Sequence, residues 1–391
     1  MKLCFRSLSK TTLLLGLCIS MSSISCGTGN LDDNGVKLPD NMDKRIKFED
    51  PLMEEVCVFV FDKDNDGKLS YAEAALVTDI SLMKDAMNSD VTSFDEFQYF
   101  TNVKEIPEET FSSTSLSKIT LPENLIAIRN RAFSGCKLTT ITIPDKVLTM
   151  DSGVFEDCTE LTSVSLPKNI KSLYTTFKGC TALKTVDIPE SVTELIGTFS
   201  GCSNLESIVI PESVTTLRGG LFYGCTNLKS FNIPSMVTSL GEKMFYGCES
   251  LTSVEIPGNV KSLYYTFWEC PNISEVIFHE GVEDVCGSFQ AMNLTTVTLP
   301  STIKNVGYAF CGNKNLKTVY SKAKSAPKYG DSKNTPYEYI ENSCPPFVYI
   351  ENEITVYVPA GSKEDYQTNW KWRDCAPIKI VEYDFENNKV I

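Results

Sequence analysis

Apolar and polar positions follow one pattern from Leu116 to Leu316, and the pattern recurs every 21 to 23 residues. Its cleanest copy runs from Leu205 to Leu217 and reads L-x-x-[IV]-x-[IL]-P-x-x-[VI]-x-x-[LI], followed by Phe222 and Cys225. The opening aliphatic returns at Leu116, Leu138, Leu161, Leu183, Leu205, Leu228, Leu251, Ile273, Leu294 and Leu316. A phenylalanine series accompanies it from Phe111 to Phe310, and a proline marks each copy from Pro122 to Pro300 except where His279 takes its place. A fixed period of this length is the signature of a solenoid, in which each unit is too small to bury its own apolar face and must stack on the next.

Within one unit the fourth and sixth residues alternate as in a half-buried strand, so the third and fifth face solvent. Proline ends the strand because it has no N–H to give to a ladder. The V-x-x-L segment then crosses back, and Phe and Cys close the coil. This predicts an α/β to mainly-β solenoid of about nine to ten turns over residues 101–320, with a small helical cap at 48–100 and a mixed C-terminal cap at 321–391. Seven cysteines, Cys136, Cys158, Cys180, Cys202, Cys225, Cys248 and Cys270, fall one per turn along a line. Metal ligands must converge on one point, so these read as small buried hydrophobes.

The units Leu138–Pro144 (L-x-x-I-x-I-P) and Ala132–Cys136 (A-F-x-x-C) resemble the BspA-like class of bacterial leucine-rich repeat surface proteins, and Val358–Tyr366 (V-P-A-G-S-K-x-x-Y) resembles the family's ending. The resemblance covers about half the chain and departs from the pattern at His279, Met292 and Cys311. It implies surface display and adhesion to host matrix proteins or other cells, but it carries no shared set of binding residues.

Residues 1–26 read as an export signal, with Lys2, Arg6 and Lys10 ahead of an apolar stretch, Leu13 to Met21, that is too short to span a bilayer. Ser25-Cys26 resembles the end of a bacterial lipoprotein signal, in which Cys26 would be lipidated. Ser23 stands where that signal usually has Leu, and Ser23-x-Ser25 also satisfies ordinary signal peptidase. The lipoprotein reading, at the outer membrane or cell surface, is taken ahead of secreted or periplasmic release. Residues 27–47 are polar and read as a tether.

Asp50-Pro51 starts a helix whose Leu52, Val56, Phe59 and Val60 share a face. After it comes a stretch that matches the EF-hand calcium loop at every specified position. Asp62, Asp64, Asp66 and Ser70 supply side-chain oxygens, Lys68 its carbonyl, Glu73 two oxygens, and Gly67 the sharp turn. Alternate hard oxygens suit calcium, which takes six to eight of them. Tyr71 to Met83 is expected to continue as the exiting helix, and Phe94 to Phe100 as the lid on the first coil. The alternative is an acidic turn that binds nothing. With calcium as cofactor, the loop would staple the cap that an open solenoid end needs.

The chain has 36 basic and 50 acidic residues, a net charge of −14 and a pI near 4.8, which argues against nucleic acid as a partner. The one histidine, His279, has no adjacent nucleophile or paired base to complete a triad, and there is no glycine-rich phosphate loop, so the chain reads as a non-enzyme. A hydrolase with a carboxylate pair drawn from different turns is the enzymatic alternative.

Two faces are candidates for binding. Small hydroxyls at the third strand position (Thr140, Ser163, Thr185, Ser207, Ser230, Ser253, Thr296) join Asp187, Asn232 and Glu255 at the fifth. Tyr223, Tyr246 and Trp268 follow the ladder Phe in three successive turns, with Tyr174, Tyr264 and Tyr265 just before it. Against these stand a merely solvated strand and a filled convex side. The expected partner of this monomer is an extracellular protein. The alternative is a glycan, the chain serving as an accessory to polysaccharide uptake. Cys344 and Cys375 are the better candidates for a disulfide in an exported protein, although sequence does not settle connectivity.

Overall fold

The structure, a computed structural model, describes residues 44–328, 345–370 and 377–391. Cys26, Cys344 and Cys375 lie outside them, and with them the lipidation and disulfide expectations.

A regular repeat lays down two short parallel strands, although in some turns one of them is reduced to a single bridge or lost. The first comes from the L-x-x-[IV]-x-[IL] segment, as in Thr140–Thr142 paired with Ser163–Ser165 in the register Thr140↔Ser163. The second comes from V-x-x-L, as in Ser172–Tyr174, Glu194–Ile196 and Thr216–Arg218, which pair in order. Between them the proline carbonyl accepts the N–H three residues on, Val214 to Pro211 at 3.0 Å, and so closes the turn. Alternation places Ile208, Ile210, Val214 and Leu217 inside.

Ten phenylalanines from Phe111 to Phe310, with Phe347 beyond them, form one column. Adjacent rings lie 4.8 to 6.1 Å apart and within 23° of parallel. Beside this column each ladder thiol donates to the phenylalanine carbonyl one turn back, Cys202 Sγ to Phe177 O at 3.0 Å and Cys270 Sγ to Phe245 O at 2.9 Å. Asn313 takes the same role toward Phe289 O at 2.7 Å. The cysteines are thus buried and unpaired, as expected, with the added role of satisfying a carbonyl that the coil interior would strand.

The coil makes about 12 turns, more than the nine to ten that the spacing predicts. The surplus lies mainly at the C-terminal end. There Ile354–Val358 and Ile378–Asp384 continue the first ladder in parallel, with Tyr320↔Tyr357 and Tyr357↔Val381 in register. Both sequences alternate but lack the L-x-x opening, and only the first keeps the proline, at Pro359, so the periodicity misses them. A helix at Lys363–Asn369 sits among these turns, with Tyr366 and Trp370 buried against the core.

At the other end, Ser93–Phe94 pairs with Lys118–Ile119, and Phe94, Phe97 and Phe100 pack over Phe111 and Phe61 as the expected lid. Helix α1 (Pro51–Phe61) has the expected cap, Asp50 Oδ1 accepting the N–H of Leu52 and Met53. Its buried face is Met53, Val56, Cys57 and Phe61, while Phe59 is 53% exposed. Two apolar stripes compete on this helix, and the aromatic lid selects the one the sequence reading passed over. The exiting helix α2 is only Tyr71–Leu76, and Met83–Ala86 forms a separate turn, because the β-branched Val77 turns to extended backbone.

Candidate functional site

The strand face gathers some of the expected residues and separates others. Asn232 and Glu255 border one groove together with Lys229, Phe231 and Ser253. Asn232 is held there by structure, its amide bonding both Ile210 N (2.7 Å) and Ile210 O (2.8 Å) where regular pairing has thinned to the single bridge Ser207↔Ser230. Glu255 Oε1 lies 2.5 Å from His279 Nε2, both exposed. Asp187 is exposed two turns away, beyond Val209, which is 77% exposed.

The aromatic row is a stack along the solenoid axis. Tyr223 and Tyr246 lie face to face at 4.6 Å, Trp268 meets Tyr246 edge-on at 5.8 Å, and Lys243 Nζ sits 5.6 Å over the Trp268 ring. Tyr264 and Tyr265 touch at 4.8 Å, and Tyr265 contacts Trp268 at 6.3 Å. The Tyr246 hydroxyl is pushed up to about 12 by its hydrogen bond to Glu269. Tyr174 stands apart, four turns earlier, its hydroxyl 2.5 Å from Glu194 Oε2.

A second aromatic group escaped the sequence reading: Tyr320, Tyr357, Tyr383 and Phe385 on the outward face of the last strands. Tyr320 and Tyr357 stack at 4.8 Å, and Tyr383 meets them edge-on at 5.4 and 5.2 Å. The signal was present in Thr318–Ser321 and Ile354–Val358, where Tyr fills the same outward strand position twice.

In the acidic loop the structure brings the carboxylates of Asp62, Asp64 and Asp66 within 4.8 Å of one another. Asp62 accepts the N–H of Asn65 (2.8 Å) and Gly67 (3.0 Å), and both of these residues are left-handed, at φ 59° and 84°. The strand end of the loop is anchored by Ile46 N–H to Leu69 O at 2.8 Å. This donor set suits a hard cation. Ser70 and Glu73 do not converge with it. Glu73 accepts from Lys63 N, Asp64 N, Ser70 N and Ser70 Oγ, forming a capping box that starts α2. Burial pushes the Glu73 carboxyl up, and these hydrogen bonds outweigh it and hold it below its ordinary value. Arg45 binds Asp66 through Nε at 2.7 Å and lies 3.6 Å from Asp64, so a guanidinium supplies part of the positive charge. Lys68 points its ammonium at Glu54, 2.8 Å away.

A model of the BspA-type leucine-rich repeat region matches residues 84–198 and 196–317 in six copies, and the chain belongs to that family. A leucine-rich repeat protein from Bacteroides ovatus is similar at 26% identity and a TM-score of 0.54, over 72% of this chain and 76% of that one. A leucine-rich cell surface protein from Faecalibacterium prausnitzii (25% identity, 48% and 62% coverage, TM-score 0.35) and the pneumococcal vaccine antigen PcpA (14%, 71% and 78%, TM-score 0.39) add nothing to the assignment. No curated protein matches the chain.

Proposed function

We propose that this chain is an exported, lipid-anchored interaction protein that holds a protein partner, a host matrix or cell-surface protein, outside the cell. The observation that carries the reading is the strand face, where equivalent polar positions recur turn after turn around the groove at Asn232 and Glu255. Such rows give a partner many evenly spaced contacts, about one strand spacing of 4.8 Å apart. The basic start at Lys2 and Arg6, the apolar stretch after it and Ser25-Cys26 support export and anchoring. Purified mature chain on a sensor surface is expected to retain at least one of a panel of matrix proteins, less so with Glu255→Lys; retention of none would end the adhesion reading. Mass spectrometry of the native N-terminus is expected to find Cys26 carrying lipid, and an unmodified first residue would remove the anchor.

Calcium belongs to the same proposal, as a staple on the N-terminal cap. Asp62, Asp64, Asp66 and the Lys68 carbonyl would hold it, and Glu73 would join after releasing its capping bonds. A ligand at a hundred times its Kd stabilises by about 2.7 kcal/mol. The melting temperature is therefore expected to rise with calcium and not to rise in Asp62→Ala; equal behaviour of the two proteins would exclude the staple.

A further inference from the structure

The outward face of the final turns differs from the rest of the strand face in carrying unpaired cations. Earlier turns present Asp187, Glu255 and Glu275 outward, and lysines there such as Lys118 and Lys229 are ion-paired with Asp95 and Glu206. On the last strands the outward residues are Thr318 and Tyr320, then Thr355 and Tyr357, then Lys379, Val381 and Tyr383, set side by side by the registers Thr318↔Thr355↔Lys379 and Tyr320↔Tyr357↔Val381. Lys322 follows Tyr320 by two residues, and its N–H bonds to Leu299 O at 3.1 Å, so it continues the alternation on the same face. The tyrosine cluster, closed by Phe385 at 5.1 Å from Tyr383, therefore has a lysine on each of its two outer strands, Lys322 two residues past Tyr320 and Lys379 four residues before Tyr383. Both lysines are exposed, and among the described residues neither makes an ion pair. The carboxylate whose charge acts on Lys322, Glu280, is itself engaged by Ser301 N and Oγ at 3.0 and 2.7 Å.

Each chemical element on this face selects a feature of the ligand. Half-buried aromatic rings offer apolar surface to the C–H faces of sugar rings, and tyrosine hydroxyls and threonines offer hydrogen bonds to their alcohols. Unpaired ammonium groups at a spacing set by the sheet attract separate anionic groups, and in a chain of net charge −14 such a reversal of sign sorts ligands by charge. The row at Tyr223 lacks this arrangement, because its cation already lies over Trp268.

We propose that the face formed by Tyr320, Tyr357, Tyr383, Phe385, Lys322 and Lys379 binds an anionic glycan, with pyranose rings against the tyrosines and carboxylate or sulfate groups at the two lysines. This site is separate from the protein-binding groove proposed above and stands or falls apart from it.

The test is calorimetric titration of the full mature chain with three oligosaccharides: oligogalacturonate (uronate), a chondroitin sulfate fragment (sulfate and uronate) and a maltooligosaccharide (neutral). At least one anionic oligosaccharide is expected to bind at least about tenfold more tightly than the neutral one and to weaken with added salt. Lys322→Glu with Lys379→Glu is expected to abolish binding while circular dichroism and melting temperature stay unchanged, and Tyr357→Ala to weaken it independently of salt. If Tyr357→Ala unfolds, the lysine pair alone decides. Equal binding of the neutral sugar, unchanged binding in the lysine variant, or equal affinity for a polyglutamate peptide would overturn the proposal, the last by making the face a general anion or peptide site. Binding of none of the three sugars would overturn it as well, whatever the matrix-protein screen returns.

Discussion

Each coil depends on a few residues whose backbone or side chain does a job that neighbours cannot share. Two left-handed residues recur per turn, and one of these columns is mostly glycine (Gly135, Gly179, Gly201, Gly224, Gly247 and Gly312), with Ser113, Asp157, Glu269 and Ala291, the last at φ 54°, as the other members. A Cβ in that conformation costs roughly 1 kcal/mol. Ala291→Gly is therefore expected to raise stability by up to about 1 kcal/mol in urea unfolding, and a loss would mean that the methyl group packs usefully. The ladder thiols follow from burial. Burial pushes Cys180, Cys225 and Cys270 up to about 12, and pushes Cys202 and Cys248 well above the ordinary thiol value. Since the thiolate is the reactive form, these cysteines are expected to resist iodoacetamide at pH 8 in the native state and to react once unfolded. Cys286, half-buried, should react first among the described thiols. Mass mapping of the alkylated sites checks both expectations.

At the scale of elements, the N-terminal cap shows how side chains that look like ligands also serve as helix caps. Asp50 starts α1 and accepts from Thr92 N and Oγ1 at 2.6 and 2.7 Å, and Glu73 starts α2. Burial pushes both carboxyls up, and their hydrogen bonds outweigh it and lower them. A carboxylate whose folded value is lowered adds stability above its unfolded value, about 3.9 for Asp and 4.3 for Glu, and loses that contribution as pH falls through the lower folded value. The cap is therefore expected to loosen on acidification below about pH 4. Hydrogen exchange at α1 and α2 should rise there before exchange in the central coils; a cap as protected at pH 3 as at pH 7 would refute the linkage. The acidic loop was legible because its spacing is local. The engagement of Ser70 with Glu73 and of Arg45 with Asp66 was not, because a carboxylate has several partners in reach and folding chooses among them.

For the molecule as a whole, stability is close to a sum of turns and the contacts between neighbouring turns. Removing a rung should thus act locally first. Phe222 lies between Phe199 at 5.8 Å and Phe245 at 5.2 Å, and Phe222→Ala is expected to cost about 3 to 5 kcal/mol. Exchange protection should fall in the turns on either side more than at the lid near Phe111. A uniform loss along the chain would point to one all-or-none unit. The face proposed for anionic glycans also belongs to this scale, since Lys322, Tyr357 and Tyr383 come together only when three turns stack.

The amino-acid sequence alone determined the spacing of the acidic loop and, from Leu116 to Leu316, the architecture, the inward phenylalanines and the buried thiols. There the repeat forces every unit to solve the same burial problem, and period two along a strand names the inward side. Tertiary structure alone decided where the coil ends, which stripe of α1 is buried, which hydrogen bonds Asn232 and Glu73 make, and that Tyr320, Tyr357 and Tyr383 share one face. Those outcomes depend on contacts between residues far apart in the chain, where several local arrangements satisfy the sequence equally and only the packing of neighbouring turns selects one.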